Sequence, residues 1–181
     1  MNDLKHQNDK NVIFYSVSIF IIGIIPILVT FTMYISGFGI EYLNYLYENL
    51  MSLPSSFSET YPVISKILGN YLKLSPLFSL LFMVLIWNKL KVKKEAIESL
   101  TWGKLISTIS LFFIMVLFLI FFTYFYSTNL STSWSKIQTI SRNEYLLLLY
   151  YIIAFLSIYF CFCLFFILSV YVPYKKLKAR I

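Results

Sequence analysis

Two stretches of this sequence run without a charged residue for the length of a membrane-crossing helix, and a third runs further. No other feature restricts the fold as strongly. Val12 to Ile35 covers 24 residues and Leu105 to Tyr126 covers 22; at about 1.5 Å per residue they extend roughly 36 and 33 Å, enough for a hydrocarbon core of about 30 Å. Tyr145 to Val172 is longer and leaves room for tilt. A further apolar stretch is interrupted by Lys73, and the 15 residues between Lys73 and Lys89 would reach only about 22 Å. That span must pass Lys73, from about Ile67 to Trp87, with the ammonium snorkelling outward along its own apolar stem. Composition agrees: 59% of the 181 residues are apolar and 13% are charged, against about 45–50% apolar in a soluble domain. The expected fold is all-α, a single polytopic membrane domain over residues 1–181 with four transmembrane helices as two hairpins.

The connections follow from punctuation. Met1 to Asn11 is polar and mixed in charge, and is expected to be poorly ordered. The first apolar run exceeds that of a secretory signal and meets no small-residue cleavage site, so it is expected to stay in the mature protein. Pro26 lacks an N–H and faces the carbonyl of Ile22, which predicts a kink, and Pro76 is expected to bend the second span likewise. In the loop at about 37–65, Ile40, Leu43, Leu46, Tyr47 and Leu50 recur at helical spacing opposite Glu41, Asn44, Glu48 and Asn49. This predicts a short amphipathic helix at the interface. Leu53-Pro54-Ser55-Ser56 ends it, and Pro62 suits the first turn of the next helix. The segment at about 127–144 reads as a Ser/Thr-rich loop, and Pro173 with a basic tail follows the last span.

Charge then assigns the sides. If both termini and the loop at about 88–104 share one side, that side holds eleven of the 15 Lys and Arg and the whole net charge of +7. The positive-inside rule places it in the cytoplasm. The basic run Lys89 to Lys94 is thereby assigned to topology and to anionic headgroups rather than to nucleic acid. Trp87, Trp102, Tyr171 and Tyr174 are expected at the inner interface, and Tyr71, Tyr124, Tyr126 and Tyr145 at the outer one.

Reactive chemistry is sparse. The one histidine, His6, lies in the terminal tail, so a histidine-based nucleophile pair or metal cluster cannot be built. Cys161 and Cys163 point about 200° apart on a helix and read as packing or lipid-facing residues. No catalytic residue, cofactor or metal is expected. Apart from Lys73 the spans hold no ionisable group other than tyrosine and cysteine, whereas ion pathways usually need buried charges. A bundle of this kind acts by binding, through apolar helix faces and a few charges in its loops. A small channel, holin or transport component is the alternative, and a membrane enzyme comes third for want of a catalytic pair.

Several ordered positions resemble the immunity proteins that protect bacteria from pore-forming colicins, specifically the four-span colicin A type. They are Ile22-Gly23 with Ile25-Pro26 and Leu28, then Leu53-Pro54-Ser55 followed by Pro62, Lys66, Tyr71, Lys73, Pro76 and Phe78. The basic central loop, Asn143 with Leu146 to Leu149 and Tyr151, and the tail Lys176-Leu177-Lys178 continue the pattern. Ser127 to Ser141 and the third span match less well. The resemblance implies an inner-membrane protein that meets the pore-forming domain of a cognate colicin within the bilayer and keeps its channel from opening. On that reading the discriminating residues are the charges on the outer side: Glu48, Lys66, Lys73, Lys136, Arg142 and Glu144, with Glu41 and Glu59 beside them. Lys73 ranks first among them, because its place within a span demands snorkelling or a partner.

Overall fold

The computed structural model describes residues 2–90, 97 and 99–178, with side chains from Val12 onward. Four helical segments are long and apolar enough to cross a membrane: Val12–Ser36, Pro62–Ile86, Trp102–Phe125 and Glu144–Lys178. The first belongs to α1, Asn2–Ser36, which carries Pro26 within it. Residues 2–11, expected to lack order, continue this helix; they hold neither glycine nor proline, and extending an existing helix is far easier than nucleating one. After a turn with Gly37 and Gly39 at positive φ comes α2, Ile40–Leu50. Leu43 is buried, Leu46, Tyr47 and Leu50 are half-buried beside it, and Glu41, Asn44, Glu48 and Asn49 are exposed, as the spacing requires; Ile40, expected on the apolar face, is exposed at the helix start.

The second span is built from α3, Pro62–Tyr71, a tight turn at Leu72–Leu74, and α4, Ser75–Ile86. It begins five residues before the expected boundary, with Pro62 at the first helical position. Pro76 cannot donate to the carbonyl of Leu72, and the Ser75 hydroxyl donates to it instead at 2.6 Å. The third span is α5, Trp102–Ile120, extended by a wider π-turn at Phe121–Phe125. The Thr101 side chain caps its start by accepting from the Lys104 amide. A short helix α6, Ser135–Ser141, stands where an irregular loop was expected. The last span comprises α7, Glu144–Phe166, a π-turn at Ile167–Tyr171, and α8, Val172–Lys178. The π-turn lets the helix run through Pro173, so the chain stays helical to Lys178 rather than ending at Val172.

The last span is the axis of the bundle, packing against the first, second and third. Its seam with α4 uses small residues: Ser75 and Ser79 are fully buried, and the Ser79 hydroxyl donates to the Tyr159 carbonyl at 2.8 Å. Between helices in lipid, such close approach and interhelix hydrogen bonding supply what hydrophobicity alone cannot. Gly23 does the same in α1, where a Cβ would lie 2.6 Å from the Phe155 ring. Tyr71 does not sit in an outer belt. Its hydroxyl donates to the Gly23 carbonyl at 2.9 Å and its ring stacks on Phe155, because a phenol held between helices needs an acceptor and Gly23 has no side chain to shield its carbonyl. The third span is peripheral and mostly exposed, leaving a gap of about 170 Å³ edged by Gly69, Leu119, Phe122 and Ala154.

At the end holding the termini, Trp87 packs edge-on to Tyr171 at 5.4 Å and against Tyr174 at 5.7 Å. Tyr171 is fully buried there, not facing headgroups, and donates to the Leu90 carbonyl. Lys176 is buried too and donates to the carbonyls of Leu100 and Ile97. Lys89 meets the Tyr15 hydroxyl at 2.5 Å. Lys91, Lys93 and Lys94 of the central basic run lie outside the described residues.

Candidate functional site

Opposite the termini, the segment between α2 and α3 and the segment around α6 lock into one layer. Phe57 is the hinge. Its amide donates to the Thr128 carbonyl at 2.9 Å and its carbonyl accepts from Leu130 at 2.8 Å, a single parallel bridge between the two loops. Serines then tie the layer together, being short enough to reach neighbouring backbone and polar enough to satisfy it. The buried Ser58 hydroxyl donates to the Ser141 carbonyl at 2.8 Å and accepts from the amides of Thr60 and Tyr61. Ser65 accepts from the Ser58 amide at 2.8 Å, and Ser131 accepts from the Glu59 amide at 3.0 Å. Asn129 donates from its side chain to the Glu59 carboxylate at 2.6 Å.

The layer is seated on the spans as firmly as it is tied across. Tyr151, fully buried in α7, donates to the Ser56 carbonyl at 2.8 Å. Gly69 of α3 lies under the same loop, where a Cβ would be 2.5 Å from the Ser56 carbonyl oxygen. Asn143 caps α7 by accepting from the amides of Tyr145 and Leu146 at 3.0 and 3.1 Å. A cavity of about 470 Å³ opens within the layer, lined by Tyr47, Met51, Phe57, Glu59, Pro62, Lys66 and Ser127. Both loops and the start of the second span thus contribute to its wall.

The charged residues singled out from the sequence fall in three places. Lys66 is 8% exposed; its ammonium donates to the Leu53 carbonyl at 2.5 Å and lies 5.8 Å from the centre of the Phe57 ring. Lys73 lies two turns further along, and its ammonium reaches back toward the start of the span. Its ammonium donates to the Asn70 side-chain oxygen at 2.8 Å, and the Asn70 amide donates to the Lys66 carbonyl, so the cation is held by a local partner on its own helix. Glu48, Lys136 and Arg142 are exposed, and Glu144 is half-buried in the first turn of α7, where a negative charge suits the helix dipole. Among the described residues none of these six charged groups, nor Glu41 or Glu59, forms an ion pair. The structure therefore gathers Lys66 and Glu59 around one cavity and Lys136, Arg142 and Glu144 on one segment, with Glu48 apart on α2. Ser58, Ser65, Asn129 and Ser131, which build the layer, were not anticipated, and Tyr151 entered only as a position of the family resemblance. The serine richness of both loops was their only sequence signal.

Among the described residues no group of three or more His, Cys, Asp or Glu is placed to hold a metal. Cys161 and Cys163 are free thiols within α7. The arrangement offers a shaped surface and a few charges.

Comparison with known proteins gives that surface a context. Residues 40–181 match the family model described as colicin immunity protein. The chain is 30% identical over 166 residues to the Colicin-B immunity protein of Escherichia coli, covering 88% of this chain and 86% of that one. No solved structure matches.

Proposed function

Because the chain belongs to the colicin immunity protein family, we propose that it resides in the bacterial inner membrane, binds the pore-forming domain of a cognate colicin and prevents the channel from opening. It is a multi-pass membrane protein of the bacteriocin immunity class, and its work is toxin neutralisation. One observation carries the reading furthest: two loops 72 residues apart in sequence are interlocked into a single surface at one end of a four-span bundle. A protein that acts by recognition needs such a preorganised surface, since ordering it on binding would subtract from affinity. Both termini lie in the cytoplasm on this reading. The concentration of lysine at the terminal end supports that placement, and it leaves the interlocked layer on the side from which toxin arrives. Glu48, Lys66, Lys73, Lys136, Arg142 and Glu144 are the proposed discriminators, and the apolar faces of the spans supply affinity against lipid-embedded toxin segments. Blocking a channel further requires tighter binding to a closed state than to the open one. No cofactor, metal or nucleic acid enters the mechanism, and no reaction is catalysed.

The test is survival. The chain is expressed alone in a sensitive strain and challenged with a panel of pore-forming colicins, colicin B included. Protection against one toxin and death by its relatives is the expected result; death by every member would refute the reading.

A further inference from the structure

The cavity between the loops contains an incompletely used cation. An ammonium has three N–H donors, and in Lys66 one of them meets the Leu53 carbonyl while the residue is 8% exposed. No carboxylate lies within ion-pair distance of it among the described residues. The Glu59 carboxylate lines the same cavity but is occupied by the Asn129 amide at 2.6 Å. A partly buried charge without a counter-ion gives up some of its hydration, and the loss is offset when a carboxylate is brought to it. The remaining wall is mostly apolar, from Tyr47, Met51, Phe57 and Pro62 with Ser127 beside them, and at about 470 Å³ the space exceeds one carboxylate. It suits a side chain arriving with its stem and neighbours.

We infer that this cavity is the socket for an acidic side chain of the toxin, an aspartate or glutamate whose carboxylate pairs with Lys66. The inference rests on the proposed immunity function and names the chemistry of its contact. A protein carboxylate fits better than a lipid phosphodiester, which carries the same single charge but is bulkier and brings no slim apolar stem to match Tyr47, Met51, Phe57 and Pro62. Phe57 and Ser127 come from the two different loops, so the socket exists only while the loops are interlocked.

The test uses the full chain and whichever panel colicin it protects against; protection against none would defeat the immunity reading itself and is seen before any variant is made. Lys66→Met is expected to raise sensitivity to that colicin roughly thirtyfold or more, the usual loss when one partner of a buried charged pair is removed, while Lys66→Arg retains most protection. Membrane levels are measured by immunoblot. Each Asp and Glu of the toxin's pore-forming domain is also changed to Asn, Gln or Lys, keeping variants that still kill unprotected cells. One of these should escape the unaltered chain, and its lysine form should be neutralised by Lys66→Glu. Full protection by Lys66→Met would overturn the inference. So would the absence of any acidic position whose loss escapes the unaltered chain, a result that stands even if every Lys66 variant fails to accumulate.

Discussion

Replacing Gly69 with alanine places a methyl group where the chain has no room for one. The new carbon would lie 2.5 Å from the Ser56 carbonyl oxygen and 3.1 Å from the Ser55 Cβ. A carbon and a carbonyl oxygen meet comfortably at about 3.3–3.6 Å, so the loop must retreat by about 1 Å. It cannot retreat freely, because the same Ser56 carbonyl accepts from Tyr151 at 2.8 Å. Overpacking costs about 1–3 kcal/mol, and loosening a buried hydrogen bond about 0.5–1.5 kcal/mol. The higher helix propensity of alanine offsets about 1 kcal/mol, leaving a net destabilisation of about 0.5–3.5 kcal/mol. Gly103 is the control: nothing lies within 4 Å of its Cβ position, and Gly103→Ala should be neutral or slightly stabilising. Both variants are measured by tryptophan fluorescence during unfolding in mixed micelles of dodecylmaltoside and SDS. If Gly69→Ala is as stable as the parent while Gly103→Ala behaves as described, the loop is not seated on α3 and the account of the layer is wrong.

Two further changes probe the layer. Ser58→Ala removes the hydroxyl that joins the two loops, and the loss of about 1–2 kcal/mol should speed tryptic cleavage at the exposed Lys136 and Arg142 by about 5–30-fold in detergent; an unchanged cleavage rate would show that the bridge at Phe57 holds the layer alone. Asn143→Ala deletes the cap of α7 and should cost about 1 kcal/mol in the same unfolding assay, whereas Asn143→Asp should retain most of that stability.

Much of the architecture was legible in the chain because bilayer thickness is a hard ruler. Runs such as Leu105 to Tyr126 have no alternative to spanning, and Pro62 announces a helix start by chemistry that needs no tertiary context. Lys66 and Lys73 were harder. A lysine at the edge of a span is free to snorkel, find a partner or be covered, and which occurs depends on neighbours brought in by folding. Lys73 found Asn70, visible in principle three residues away. Lys66 is covered by a loop positioned through Phe57 and Asn129, a pairing no local pattern encodes. Ser79 was equally hidden, because a lone serine in an apolar run bonds its own helix as readily as it reaches a neighbour, and only folding brings the Tyr159 carbonyl to it. The π-turn at Ile167–Tyr171 hid the continuation of the last helix, since proline ordinarily argues for a stop.

The interlocking of the two loops also sets an order of events during synthesis. Ser58 waits for Ser141, made 83 residues later, and at about 5–20 residues per second that is a delay of roughly 4 to 17 s. Through that interval the first hairpin is in the membrane with its loop unfastened, and the surface assembles only once α6 and the start of the last span emerge. A truncated chain that inserts its first three spans therefore displays no finished surface, and shielding of the cell begins with completed molecules alone.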